Sequence, residues 1–135
     1  MALLELNSVS QRFGGLQALS DFNITIEERE LVGLIGPNGA GKTTVFNLVS
    51  GFYVPTEGAI VFRGKPTRGL KPHQVTGMGM ARTFQNIRLW NNLSVLDNIR
   101  IGQYHWLGYG FLSSVLRTKS YMAAERRIED KSREI

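Results

Sequence analysis

The sequence contains no cysteine and only four prolines, two tryptophans and two histidines. Without cysteine there is no disulfide framework, thiol nucleophile or zinc-thiolate site, and a reducing compartment suits such a chain. The longest apolar runs, such as Leu31 to Ile35, are too short to span a bilayer. The first ten residues include Glu5 and lack a basic start, which predicts no secretory signal. We therefore expect a soluble, cytoplasmic protein.

The composition is that of a folded protein with a modest cationic bias. Of the 135 residues 42% are hydrophobic and 20% are charged, which favours a single globular domain over disorder. The net charge is +5, but the basic residues are scattered, so we expect a solvated surface and no nucleic-acid partner. Near the end of the chain, acidic residues interleave with Arg126, Arg127, Lys131 and Arg133, a pattern typical of a salt-bridged helix face.

Several short segments have the patterns of β-strands. Apolar residues predict half-buried strands at Leu3 to Val9 and at Asp21 to Ile26, where they alternate with polar ones. Every position from Leu31 to Ile35 is apolar or glycine, which predicts a central parallel strand covered on both faces. Further strands are predicted at Ala59 to Phe62 and at Met80 to Phe84.

Three helices are predicted between and after these strands. The first follows Lys42 and ends where Gly51 can adopt a left-handed conformation. The second starts at Val95, because Ser94 and Asp97 have the spacing of a capping box. The third is amphipathic and capped by Ser120, and its apolar stripe consists of Tyr121, Ala124, Ile128 and Ile135.

The segment Gly36 to Thr43 fits the pattern G-x-x-x-x-G-K-[ST] between an apolar strand and a helix. Backbone N–H groups at a helix N-terminus supply convergent donors for phosphate oxygens, and glycines let the backbone approach closely. Lys42 would reach the β- and γ-phosphates, Thr43 would contact Mg²⁺ and Thr44 would add a hydrogen bond. The predicted nucleotide-binding residues of this loop are Gly36, Asn38, Gly39, Ala40, Gly41, Lys42, Thr43 and Thr44.

The sequence of this loop, Gly36 to Thr44, resembles that of the corresponding loop in the nucleotide-binding domains of ABC transporters. Upstream, Arg12 to Leu19 is similar to the aromatic loop of that family, which implies that Phe13 stacks on adenine. Downstream, Ala81 to Asn86 looks like the family's Q-loop, which implies that Gln85 contacts Mg²⁺ and the attacking water. The resemblance thus implies ATP and Mg²⁺ as cofactors, with Thr43 and Gln85 as the metal contacts.

Three further stretches are similar to the LivG-type ATP-binding subunits of branched-chain amino acid importers: Asn47 to Pro55, Ile87 to Trp90, and Trp106 to Phe111. The implied fold is α/β, a P-loop NTPase core of ABC type. This core would combine antiparallel N-terminal strands with part of a RecA-like sheet and flanking helices. The core would be incomplete, and the chain would end in the start of the helical subdomain. Residues 1–86 would form the partial ATP-binding core, with aromatic loop, Walker A and Q-loop strand. Residues 87–135 would form the Q-loop exit and the start of the helical subdomain.

The same resemblance implies the partners and the location. Two nucleotide-binding subunits would sandwich ATP, and hydrolysis would energise transport. Membrane-spanning permease subunits would meet the region from Asn86 to Phe111, where Trp90 and other aromatic residues gather with few charges. The protein would be cytoplasmic and peripheral on the inner face of the cell membrane.

Three elements of the family find no match in these residues: the LSGGQ signature, the Walker B strand with its catalytic glutamate, and the switch histidine. A nucleotide-binding fragment without turnover is therefore an alternative to an ATPase. A small P-loop phosphotransferase is another, with Asp97 holding the metal and Arg126 and Arg127 in a lid. The capping role explains Asp97 better. His73 and His105 share no metal-ligand spacing, and both are interpreted as structural or surface residues.

Overall fold

The computed structural model describes residues 2–84, 89–103 and 110–134. The chain divides into two compact units, the first ending at Arg82 and the second beginning at Thr83. Among the described residues no helix combines the length and the apolar character that crossing a membrane requires.

The first unit contains a four-stranded sheet in the order β2-β1-β3-β4. Its strands are β1 (Ala2–Phe13), β2 (Leu16–Glu27), β3 (Glu57–Phe62) and β4 (Lys65–Pro66). All three pairings are antiparallel. The predicted strands at Leu3 to Val9, Asp21 to Ile26 and Ala59 to Phe62 are confirmed, and the first two extend further into a hairpin that turns at Gly14 and Gly15.

Two helices belong to the first unit, α1 (Lys42–Val49) and α2 (Pro72–Gly77). The core that joins α1 to the sheet consists of Leu6, Val9, Leu19, Val45, Leu48 and Ile60. Burying a side chain such as Leu48 stabilises the folded state by roughly 1.5–3 kcal/mol. Gly51 follows α1 with φ 75°, and its N–H donates to the carbonyl of Leu48 at 3.1 Å, so the predicted end of the helix is confirmed.

Two strand predictions are wrong. Leu31 to Ile35 and Met80 to Phe84 have no regular structure, and the side chains of Leu31 and Ile35 are 99% and 95% exposed. The apolar run indicates burial, but a parallel strand also needs neighbouring strands for its backbone hydrogen bonds. Within the described residues the sheet contains antiparallel pairs alone. Within the run from Leu31 to Ile35, it is Leu34 that packs against the core, and its side chain is partly buried.

The second unit is helical and contains α3 (Val95–Gln103), α4 (Phe111–Val115) and α5 (Lys119–Arg133). Helix α3 begins where predicted, because the Asp97 N–H donates to Ser94 Oγ at 3.1 Å. Helix α5 is capped by Thr118, which accepts from the Tyr121 N–H at 3.3 Å. The predicted cap at Ser120 is wrong: Ser120 lies within the first turn.

Polar contacts join α3 to α5. Arg100 Nη2 lies 2.9 Å from Glu125 Oε2, and Gln103 Nε2 donates to Ser132 Oγ at 2.8 Å. Along α5, the hydrogen bond from Arg133 lowers the pKa of the Glu129 carboxyl. The pair Glu129–Arg133 confirms part of the salt-bridged face predicted for α5. In its predicted apolar stripe Ile128 is buried, whereas Ile135 lies outside the described residues.

Candidate functional site

The loop from Gly36 to Gly41 leads directly into the N-terminus of α1. Val45 and Leu48 anchor the helix in the core, which fixes the loop against the sheet. No side chain caps the N-terminus, and the first turn carries no acidic residue. A helix end of this kind presents backbone N–H groups and the positive end of the helix dipole. The geometry therefore suits an anionic ligand.

Gly41 occupies the N-cap position of α1 in a left-handed conformation, with φ 83°. A Cβ built on this residue would lie 2.6 Å from the carbonyl oxygen of Ala18 on β2. That separation is a steric clash with backbone, and the positive φ is unfavourable for any residue with a side chain. Glycine is thus required here to let the loop pack closely against β2.

The Lys42 side chain folds back over the loop. Its Nζ donates to the carbonyl oxygens of Gly36 and Pro37, both at 2.6 Å. An ammonium group has three donors, so these bonds leave one for a ligand. The half-buried lysine is thereby held against the carbonyl groups at the start of the loop.

The other predicted residues of the loop differ in their exposure to solvent. Gly36, Asn38, Gly39 and Ala40 are exposed, as is Thr43, whereas Thr44 is half-buried. The N–H of Ala40 donates to the carbonyl of Pro37 at 3.2 Å, which forms a tight turn within the loop. Gly39 supports this turn with φ 87°.

Phe13 lies at the end of β1, beside the turn of the β1–β2 hairpin. Its ring contacts that of Tyr53, with centroids 5.1 Å apart and planes at 70°. The ring of Phe13 remains 41% exposed, so it is not a core residue. Sequence reasoning did not identify Tyr53, because no short-range spacing connects it to Phe13.

Gln85 lies outside the described residues, so its role stays a prediction. Among residues 2–84, 89–103 and 110–134, no group of three histidines, cysteines or acidic residues is arranged to hold a metal ion.

The sequence patterns did not predict a contact between Arg82 and helix α1. Arg82 Nη1 donates to Asn47 Oδ1 of α1 at 2.7 Å.

Asp97, the alternative metal ligand, is engaged in local contacts. Ser94 Oγ donates to its Oδ2 at 2.6 Å, and Arg100 Nη1 lies 3.7 Å from its Oδ1. The carboxylate therefore acts in the capping of α3, as predicted.

Comparison with known proteins gives a consistent result. The chain is 43% identical over 130 residues to the high-affinity branched-chain amino acid transport ATP-binding protein LivG of Salmonella typhimurium, which covers 96% of this chain and 51% of the relative. It is 42% identical over 124 residues to BraF of Pseudomonas aeruginosa, which covers 92% of this chain and 49% of the relative. The chain thus spans about half the length of the curated relatives it matches.

Solved structures share the fold. A nucleotide-free ATP-binding cassette from an ABC transporter matches with a TM-score of 0.73 and 30% identity, covering 96% of this chain and 51% of that one. The ADP conformation of another ABC-transporter cassette matches with a TM-score of 0.70 and 31% identity, covering 88% of this chain and 46% of that one. The predicted fold class, an incomplete α/β cassette of ABC type, is confirmed.

The family model described as "ABC transporter" matches residues 19–134, a range that contains the loop and helix α1 as well as the second unit. With that match and the agreement of sequence and fold, the chain belongs to the ABC transporter family.

Proposed function

We propose that this chain is the ATP-binding part of a subunit that energises an ABC importer of branched-chain amino acids. The observation that carries the proposal is the construction of the loop at α1, where an uncapped helix N-terminus, a glycine pressed against β2 and the Lys42 ammonium converge. The names of the relatives LivG and BraF support the transported class.

The loop would hold the triphosphate of ATP. The backbone N–H groups at the start of α1 have no side-chain cap, and they would donate to phosphate oxygens. Lys42 would add a charge-assisted hydrogen bond, which is stronger than one between neutral groups. Gly36, Asn38, Gly39, Ala40 and Gly41 would form the wall of the cradle.

The residues also fit a magnesium ion that arrives with the nucleotide. Mg²⁺ is usually bound by few protein ligands and several phosphate or water oxygens. The exposed hydroxyl of Thr43 at the start of α1 can supply one ligand, and Gln85 would supply another. When bound, the ion neutralises part of the triphosphate charge.

Phe13 would stack on the adenine base. Its ring is accessible at the end of β1, in the same unit as the phosphate loop. The exposed part of the ring offers apolar surface on which a base can stack. Thr44 would complete the phosphate contacts from the first turn of α1.

A permease subunit would bind the apolar surface of the second unit. Leu89, Trp90, Leu93, Val95, Asn98 and Ile99 line an open depression of about 360 Å³. The Trp90 side chain is 64% exposed. Asn98 fixes this segment, because its Oδ1 accepts from the Trp90 N–H at 2.9 Å and its Nδ2 donates to the Ser94 carbonyl at 3.0 Å. A structured apolar patch of this type is characteristic of protein interfaces.

The complete assembly would contain a second nucleotide-binding subunit and lie at the cytoplasmic face of the membrane. In these 135 residues the cradle would stabilise bound ATP, but it contacts ground state and transition state alike. Uniform binding of this type does not accelerate the chemical step. We therefore assign nucleotide binding to the chain and hydrolysis to the assembly.

Calorimetric titration tests the proposal. The chain should bind MgATP, and magnesium tripolyphosphate should compete for the same site, because both present phosphate oxygens to the loop. Failure of MgATP to bind, or binding that tripolyphosphate leaves unaffected, would contradict the assignment of the loop as the phosphate site.

A further inference from the structure

We propose that Tyr53 is a positioning residue at the base end of the nucleotide site, which holds the ring of Phe13 ready to stack on adenine. The inference rests on the proposed function, because it requires a nucleotide whose phosphates bind at the Gly36–Thr44 loop. It adds a role for a residue outside the phosphate loop and the hairpin.

The geometry of the two rings supports this role. Phe13 and Tyr53 pack edge to face, at 5.1 Å between centroids and 70° between planes. This is a favourable arrangement for aromatic pairs. The two side chains nevertheless remain 41% and 39% exposed, so the contact orients the ring of Phe13 without removing it from solvent.

The hairpin itself offers the ring of Phe13 little support. Its cross-strand partner is Leu16, whose side chain is 67% exposed. The residues that follow are Gly14 and Gly15, and a Cβ added to either would meet no atom within 4 Å. An aromatic ring at such a tip can rotate among several rotamers unless another element contacts it.

The loop that carries Tyr53 is attached to both elements of the site. The Tyr53 N–H donates to the carbonyl of Asn47 on α1 at 3.2 Å. Three residues later in the same loop, Thr56 is bonded to β1: its N–H donates to the Ser10 carbonyl at 3.0 Å, and its Oγ1 accepts from the Arg12 N–H at 3.1 Å.

These contacts connect the helix that begins at the phosphate loop to the strand that ends in Phe13. Tyr53 thereby fixes the stacking ring at a defined position relative to the phosphates. Holding the ring in place before the ligand arrives reduces the conformational entropy lost on binding. Tyr53 should therefore raise the binding affinity of ligands that carry a base. It should have no effect on the affinity of a triphosphate without a base.

The test compares MgATP with magnesium tripolyphosphate by calorimetry on the 135-residue chain. Tyr53→Ala should weaken MgATP binding by about three- to tenfold, the effect of losing one aromatic contact. Tripolyphosphate affinity should stay at the wild-type value, which also shows that the variant is folded. Tyr53→Phe keeps the ring and should restore MgATP affinity, and Val54→Ala serves as a neighbouring control that should alter neither ligand.

The double variant separates positioning from direct contact. In a Phe13→Ala background, Tyr53→Ala should cause no further loss, since there is no ring left to position. An additive loss would contradict the proposal, as would unchanged MgATP affinity in Tyr53→Ala or equal losses for both ligands. Failure of the proposed function gives a different result, in which the wild type binds neither ligand and both assignments fall.

Discussion

Arg82 and Asn47 are joined by a hydrogen bond of 2.7 Å from guanidinium Nη1 to amide Oδ1. The same guanidinium lies over two rings of the α1 region, with its Cζ 5.9 Å from the centroid of Phe46 and 5.9 Å from that of Phe52. Arg82 precedes the predicted Q-loop residue Gln85, and Asn47 belongs to the helix that begins at the phosphate loop. The contact therefore attaches the last residue of the first unit to α1.

Removing this contact should destabilise the first unit. Asn47→Ala is expected to lower the free energy of unfolding by about 2 kcal/mol, because a charge-assisted hydrogen bond is lost from a partly buried site. Arg82→Ala should cost at least as much, since the ring contacts are lost as well. Urea denaturation measures both, with the exposed Arg68→Ala as the matched control. Unfolding midpoints equal to that of Arg68→Ala would show that the contact contributes nothing.

Gly41 offers a sharp test of the loop geometry. In Gly41→Ala the new Cβ would clash with the Ala18 carbonyl at 2.6 Å, and the residue would have to keep φ near 83°. We expect a loss of about 1–3 kcal/mol in the free energy of unfolding. MgATP affinity should fall by about tenfold or more, because the N–H groups at the start of α1 are displaced.

Gly15→Ala is the matched control for this variant. Gly15 lies in the hairpin turn without a positive φ, and its added Cβ would meet nothing within 4 Å. Its unfolding free energy and MgATP affinity should stay near the wild-type values. If Gly41→Ala behaved like Gly15→Ala, the close approach of the loop to β2 would have no functional importance.

The apolar surface around Trp90 should face a membrane-spanning partner. A photo-reactive amino acid at position 90 is expected to cross-link to a permease subunit in the assembled transporter. Lys119 is exposed at the start of α5 and outside this surface, so the same group at position 119 should give little product. Equal yields from both positions, or none from position 90, would refute the proposed docking surface.

A polypeptide of these 135 residues should bind MgATP without steady turnover. Phosphoryl transfer to water requires an oriented nucleophile and stabilisation of the developing charge, which the cradle alone does not provide. A phosphate-release assay should give background rates for the wild type and for Asp97→Asn. If the wild type showed multiple turnover and Asp97→Asn abolished it, the result would support the phosphotransferase alternative, with Asp97 as the metal ligand.

Local patterns predicted the elements that local interactions build. The alternation in β2, the end of α1 at Gly51 and the cap at Ser94 each depend on a few neighbouring residues. Leu31 to Ile35 failed as a strand because pairing depends on segments distant in sequence. The error at Ser120 was smaller: Thr118 and Ser120 both have hydroxyls suited to capping, and spacing alone did not distinguish them.

Some parts of the candidate site could likewise be predicted from local sequence patterns, whereas others could not. The spacing of glycines, lysine and threonine identified the phosphate loop, because all its groups are consecutive. The contacts of Tyr53 with Phe13 and of Arg82 with Asn47 join residues far apart in the chain. No pattern in the sequence connects such pairs, which come together in the folded first unit.

The central claim is that the Lys42 loop binds the phosphates of ATP, and titration of MgATP against two lysine variants tests it most directly. Lys42→Ala should weaken binding by about tenfold to a hundredfold, because one hydrogen bond to a charged group is worth about 1.5–3 kcal/mol. Lys65→Ala removes the same charge from an exposed position in β4 and should retain wild-type affinity. Equal affinity for MgATP in the wild type, Lys42→Ala and Lys65→Ala would contradict the account.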